Sequence, residues 1–137
     1  MIVRYLEERI GTEYDVDTPT WNSRRLLLKE DGVGFSLHDT LIKAGTETMI
    51  WYKHHVEAVY CIDGEGEIEL VNTKERFPIR AGMMYVLNGH EKHWLRGTTD
   101  MRMVCVFNPP CTGLEVHDEE GAYAAPTANE HNPGGEY

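Results

Sequence analysis

Residues 52–66 read YKHHVEAVYCIDGEG, and the way this stretch is parsed decides the fold. From His55 to Ile62 the side chains fall into two alternating sets, His55, Glu57, Val59 and Cys61 on one and Val56, Ala58, Tyr60 and Ile62 on the other. That is the period of a β-strand. The DGEG that follows at 63–66 supplies glycines able to take positive φ, so the stretch predicts a strand running into a tight hairpin. Working outward, similar short apolar runs broken by Gly, Asn, Asp and Pro occur at 24–29, 34–42, 46–52, 66–71, 83–88, 93–96 and 101–107. WNSRR at 21–25 reads as a basic, aromatic loop entering the first of these. Many short strands with almost no helical periodicity predict an all-β sandwich or barrel.

The chain has 137 residues, enough for one core. Residues 1–117 are read as one barrel carrying an N-terminal strand and a segment that covers the site, and 118–137 as a flexible tail rich in Gly, Pro, Ala and acid. Thirteen Lys plus Arg against twenty-three Asp plus Glu give a net charge of −10, which repels nucleic-acid phosphates and anionic membranes and leaves a small molecule as the expected partner. The first ten residues lack the apolar core of a signal peptide, and no run is apolar enough to span a bilayer. Three cysteines without a CxxC spacing argue against a disulfide framework, and a reducing cytoplasm is the expected location.

Two spacings are shared with the cupin barrels. In the first cupin motif a glutamate is followed after six residues by glycine, as Glu57 is by Gly64. The two histidines that normally precede the glutamate are replaced by Trp51 and Lys53, and of the neighbouring pair only His55, not His54, shares the face of Glu57. In the second motif Gly82 leads to Asn88 in the proline place, His90 in the glycine place and His93 in the histidine place. Glu57 and His93 are thus two candidate metal ligands. The third donor is Tyr85, which has the same parity, or His55. Oxygen donors with one imidazole suit ferrous iron and leave positions open for Lewis-acid chemistry.

The stretches MIVR, WNSRRLLLK, GFSLHDT, HHVEAVYCIDGEGE, YVLNGHEKHWLR, CVFNPPCTG and EVHDEEGAY, spread over residues 1–123, resemble the ectoine synthases. The resemblance implies a single cupin-type barrel, a double-stranded β-sandwich or jelly roll, with iron (Fe2+) held by Glu57, Tyr85 and His93. It implies substrate contacts from Trp21, Arg25, His38, Thr40, Cys105, Phe107, Glu115 and His117, and Glu115, His117 and Tyr85 as catalytic groups. It also implies a homodimer. The expected substrate is N-γ-acetyl-L-2,4-diaminobutyrate, cyclised to ectoine with loss of water by a hydro-lyase. In that setting Arg25 offers a fork for the substrate carboxylate and Trp21 an apolar wall beside it. The competing expectations are a metabolite-binding cupin without catalysis, and a cupin isomerase or oxygenase that uses His55.

Overall fold

The structure is a computed structural model, and it describes residues 1–113. Ten strands account for about half of them: β1 (Asp15–Asp17), β2 (Trp21–Leu27), β3 (Ser36–Ile42), β4 (Glu47–Ile50), β5 (Val56–Asp63), β6 (Glu65–Leu70), β7 (Arg76–Arg80), β8 (Met84–Leu87), β9 (His93–Gly97) and β10 (Met101–Asn108). They form a six-stranded sheet in the order β1-β2-β3-β10-β5-β8 and a four-stranded sheet in the order β4-β9-β6-β7, all pairs antiparallel. The expected all-β architecture is therefore present. The reading of residues 118–137 as a flexible tail, and of the segment before it as a cover, lies outside the described residues.

Alternation decides which side chains face the space between the sheets. In β5 the odd residues Glu57, Val59 and Cys61 are buried while Tyr60 and Ile62 are exposed. In β10 Met101, Met103, Cys105 and Phe107 turn inward together. Ile68, Leu95, Ile50 and Ile79 close the core from the smaller sheet. Each Val, Leu, Ile, Met or Phe among them contributes about 1.5–3 kcal/mol on burial.

Two local expectations are corrected. WNSRR is not a loop: Trp21 to Arg25 lie within β2, where Trp21, Ser23 and Arg25 point inward. DGEG does not close a hairpin, because β5 and β6 belong to different sheets. Gly64, at φ +94°, carries the chain from one sheet to the other so close to Asp100 and Met101 that a Cβ would overlap their backbone. After β10 the chain does not leave the core at once, since Pro110 and Cys111 are fully buried and the Cys111 amide donates to Ser36 Oγ at 3.0 Å. At the second motif the glycine place is filled by His90, whose φ of +55° preserves the left-handed turn that a glycine would favour.

Candidate active site

Strand register brings distant residues into rows across the inner face of the larger sheet. One row runs Arg25, His38, Cys105, Val59, Tyr85, each opposite the next on the adjacent strand. The row beside it runs Ser36, Phe107, Glu57, Leu87. On the other side Ser23 faces Thr40, which faces Met103. His93 reaches the same interior from β9 in the facing sheet, with its ring centroid 6.5 Å from that of Tyr85.

Several of these side chains border a cavity between the two sheets. Trp21, His38, Thr40, Cys105 and Phe107 line it, as do Glu57 and Tyr85. His93 is fully buried next to Tyr85 but is not part of the lining. Arg25 is also fully buried and stands behind the lining: its Nε–H donates to Ser23 Oγ at 3.1 Å and its Nη1–H to the Gly113 carbonyl at 2.6 Å. Glu115 and His117 lie outside the described residues. Of the two adjacent histidines, His54 is exposed, and His55 is buried edge-on to Phe107 at 5.8 Å without lining the cavity. Of the lining residues missed from the sequence, two carry a hydroxyl, Ser23 and Tyr52. Ser23 shares strand parity with Trp21 and Arg25, a signal hidden while 21–25 is read as a loop; Tyr52, edge-on to Phe107 at 5.2 Å, has no signal beyond being apolar.

Burial pushes Glu57, Tyr85, His93, His38 and Cys105 toward their neutral forms. The Glu57 carboxyl is raised to about 8 by burial, against a smaller opposing hydrogen bond from Cys105. Burial raises the Tyr85 phenol well above its usual value, helped by Glu57 and the thiols of Cys105 and Cys61. His93 is lowered by burial against the pull of Glu91. Cys105, raised by burial and then by Glu57, bridges Glu57 and Thr40 through its hydrogen bonds.

His93 has the form a metal ligand needs. Its Nδ1 lies 2.9 Å from the Glu91 carbonyl, which only accepts, so the proton sits on Nδ1 and the Nε2 lone pair is open. That Nε2 is buried without a hydrogen-bond partner. An acceptor in such a place needs a hydrogen-bond donor or a cation, and Glu57 and Tyr85 are oxygen-bearing side chains of the same interior that a cation could share. Among the described residues no three His, Cys, Asp or Glu side chains cluster as ligands.

The profile described as ectoine synthase matches residues 1–127. The chain belongs to the ectoine synthase family. L-ectoine synthase of Desulfatibacillum aliphaticivorans is 62% identical over 125 residues, covering 90% of this chain and 96% of that one. The crystal structure of ectoine synthase from P. lautus is 68% identical, covers 95% of both chains and superposes with a TM-score of 0.84. A cupin domain from a transcriptional regulator of Enterobacter cloacae, 15% identical with a TM-score of 0.56 over 66% of this chain and 98% of that one, shares the fold alone. Family membership makes the chain an enzyme of ectoine biosynthesis, a hydro-lyase built on a cupin barrel. Among the described residues no helix is long and apolar enough to cross a membrane.

Proposed function

We propose that this enzyme cyclises N-γ-acetyl-L-2,4-diaminobutyrate to ectoine with a ferrous ion held by Glu57, Tyr85 and His93. The observation that carries the metal reading is the buried, unpartnered Nε2 of His93 beside Tyr85, with the Glu57 carboxyl in the same interior. In the reaction the α-amine attacks the acetamide carbon, one C–N bond forms, one C–O bond breaks, and water leaves. Bound iron would supply Lewis acidity toward the acetamide oxygen. The protein supplies the remainder. The walls of Trp21 and Phe107 hold the chain of the substrate folded and exclude bulk water, which favours expelling one more molecule of it. Arg25 places a buried positive charge behind His38 and draws the substrate carboxylate to that end of the cavity. Thr40 and Cys105 fix the orientation of the Glu57 carboxyl through their hydrogen-bond chain. Glu115 and His117 are assigned proton transfer to and from the reacting groups.

The enzyme is proposed to act as a cytoplasmic homodimer. The edge strand β8 exposes Met84 and Val86, and the N-terminal segment exposes Ile2 and Val3, apolar groups that a second copy would cover. The test is direct. The chain is incubated anaerobically with ferrous iron and the acetylated diamino acid, and a product lighter by one water is expected by mass spectrometry. Unchanged substrate with iron bound would overturn the reaction; turnover at full rate with no metal would overturn the iron assignment.

A further inference from the structure

Ser23 is a buried hydroxyl in the middle of β2 that lines the cavity and touches two groups of the site. The Nε–H of Arg25 donates to its Oγ at 3.1 Å, and the same Oγ lies 3.2 Å from Nδ1 of His38. A guanidinium only donates, so Ser23 accepts from Arg25 and still has one proton to place. Nδ1 of His38 is the acceptor in reach. Were Nδ1 protonated instead, the serine proton would be left without a partner in a buried place, at the full cost of its desolvation. His38 is kept neutral by burial, and then by the charge of Arg25, and with Nδ1 accepting from Ser23 its single proton falls on Nε2. That Nε2 is buried with no hydrogen-bond partner, and the ring packs on Phe107 at 5.0 Å in the cavity wall.

We propose that Ser23 is a positioning residue: anchored by Arg25, it donates to Nδ1 of His38 and holds the imidazole in its Nε2–H form, which presents a neutral donor to the substrate carboxylate. The identity of the bound carboxylate rests on the reaction proposed above; the tautomer does not. Geometry selects the carboxylate over the acetamide oxygen. His38 sits two strands from Glu57, about 10 Å across the sheet, with β10 and its Phe107 between them. A substrate whose acetamide lies against Glu57, Tyr85 and His93 therefore extends its amino-acid end toward His38. Arg25, behind the same ring, makes that end of the cavity favourable for an anion and for the Nε2–H that meets it.

The test reads the tautomer directly. In the full-length, metal-free chain labelled with 15N-histidine, long-range 1H–15N correlations assign each ring, and the His38 set is the one lost in His38→Asn. A protonated Nε2 with a bare Nδ1 is expected. Ser23→Ala should mix the tautomers and raise KM about tenfold, with kcat within about threefold of the parent, whereas Ser23→Thr keeps both spectrum and KM. A parent spectrum with Nδ1 protonated overturns the proposal even if Ser23→Ala fails to fold. So does a Ser23→Ala protein with a changed ring spectrum and parental KM, because the carboxylate contact would then be absent. The spectrum is recorded without substrate, so a chain that turns nothing over would refute the reaction while leaving the Ser23–His38 contact to be judged separately.

Discussion

Glu57 is a carboxyl group placed where water cannot solvate its charge, and the raised value of about 8 expresses that cost. The phenol of Tyr85 is displaced upward for the same reason and the imidazole of His93 downward. A cation shared among the three would reverse the balance, because it stabilises the very forms that burial disfavours. Glu57→Ala and His93→Ala should each weaken iron binding at least about tenfold, measured as iron per chain after gel filtration, while His54→Ala, whose side chain is exposed, keeps the parental content. Tyr85→Phe removes one donor and keeps the ring. If it retains iron while His55→Ala loses it, the third ligand is His55, which lies on the same parity as Glu57 and is buried against Phe107.

Gly64 shows why elements were only partly legible from sequence. Its positive φ was readable as a turn, but the turn changes sheets, and what demands glycine is the approach of Asp100 and Met101 from 36 residues or more away. Gly64→Ala should therefore cost at least about 3 kcal/mol, seen as a large fall in Tm, because strain in φ and a backbone overlap coincide. Gly45→Ala, with φ +73° and open space around it, should cost only about 1 kcal/mol. Equal losses would mean that the backbone approach is unimportant. Strands with strict alternation, such as β5 and β10, were visible because half of each faces the core. β1 and β7 were not: Asp15–Asp17 has a single apolar residue, and Arg76–Arg80 carries Pro78, which is tolerated because β7 is an edge strand. The site followed the same rule. Spacing pointed to Glu57 and His93 and left Tyr85 and His55 as alternatives that only the family resemblance separated, whereas Ser23 was hidden by reading β2 as beginning three residues too late.

At the scale of the whole molecule, the groups assigned to proton transfer, Glu115 and His117, follow in sequence the last residues seen to join the core, Pro110 and Cys111. Because Cys111 is part of the core, ending the chain after Gly113 rather than after Pro110 preserves the closure onto Ser36. That shortened chain should bind iron and lose turnover by at least about a hundredfold, since Glu115 and His117 are removed; parental turnover would require their roles to be abandoned. The outer face of the larger sheet determines stability in acid. Burial alone would raise Asp39, but hydrogen bonds from Arg102, at 2.7 Å, and from Arg24 outweigh it and hold the carboxyl below its ordinary value. Asp31 is held down chiefly by its hydrogen bonds with Arg4. A carboxyl with a lower pKa in the folded chain binds fewer protons there than when unfolded, so its contribution is complete above about pH 5 and is lost as pH falls through the ordinary carboxylate range toward the folded value. Tm should thus change little between about pH 7 and 5 on account of these groups and drop below about 4. Asp39→Asn leaves the nearly buried Arg24 and the half-exposed Arg102 without their carboxylate, and should cost about 3 kcal/mol near neutral pH. That difference should narrow as the parent protein is titrated below about pH 4, where Asp39 itself takes up a proton. A penalty that stays constant across the same titration would show that Asp39 acts by packing and not by charge.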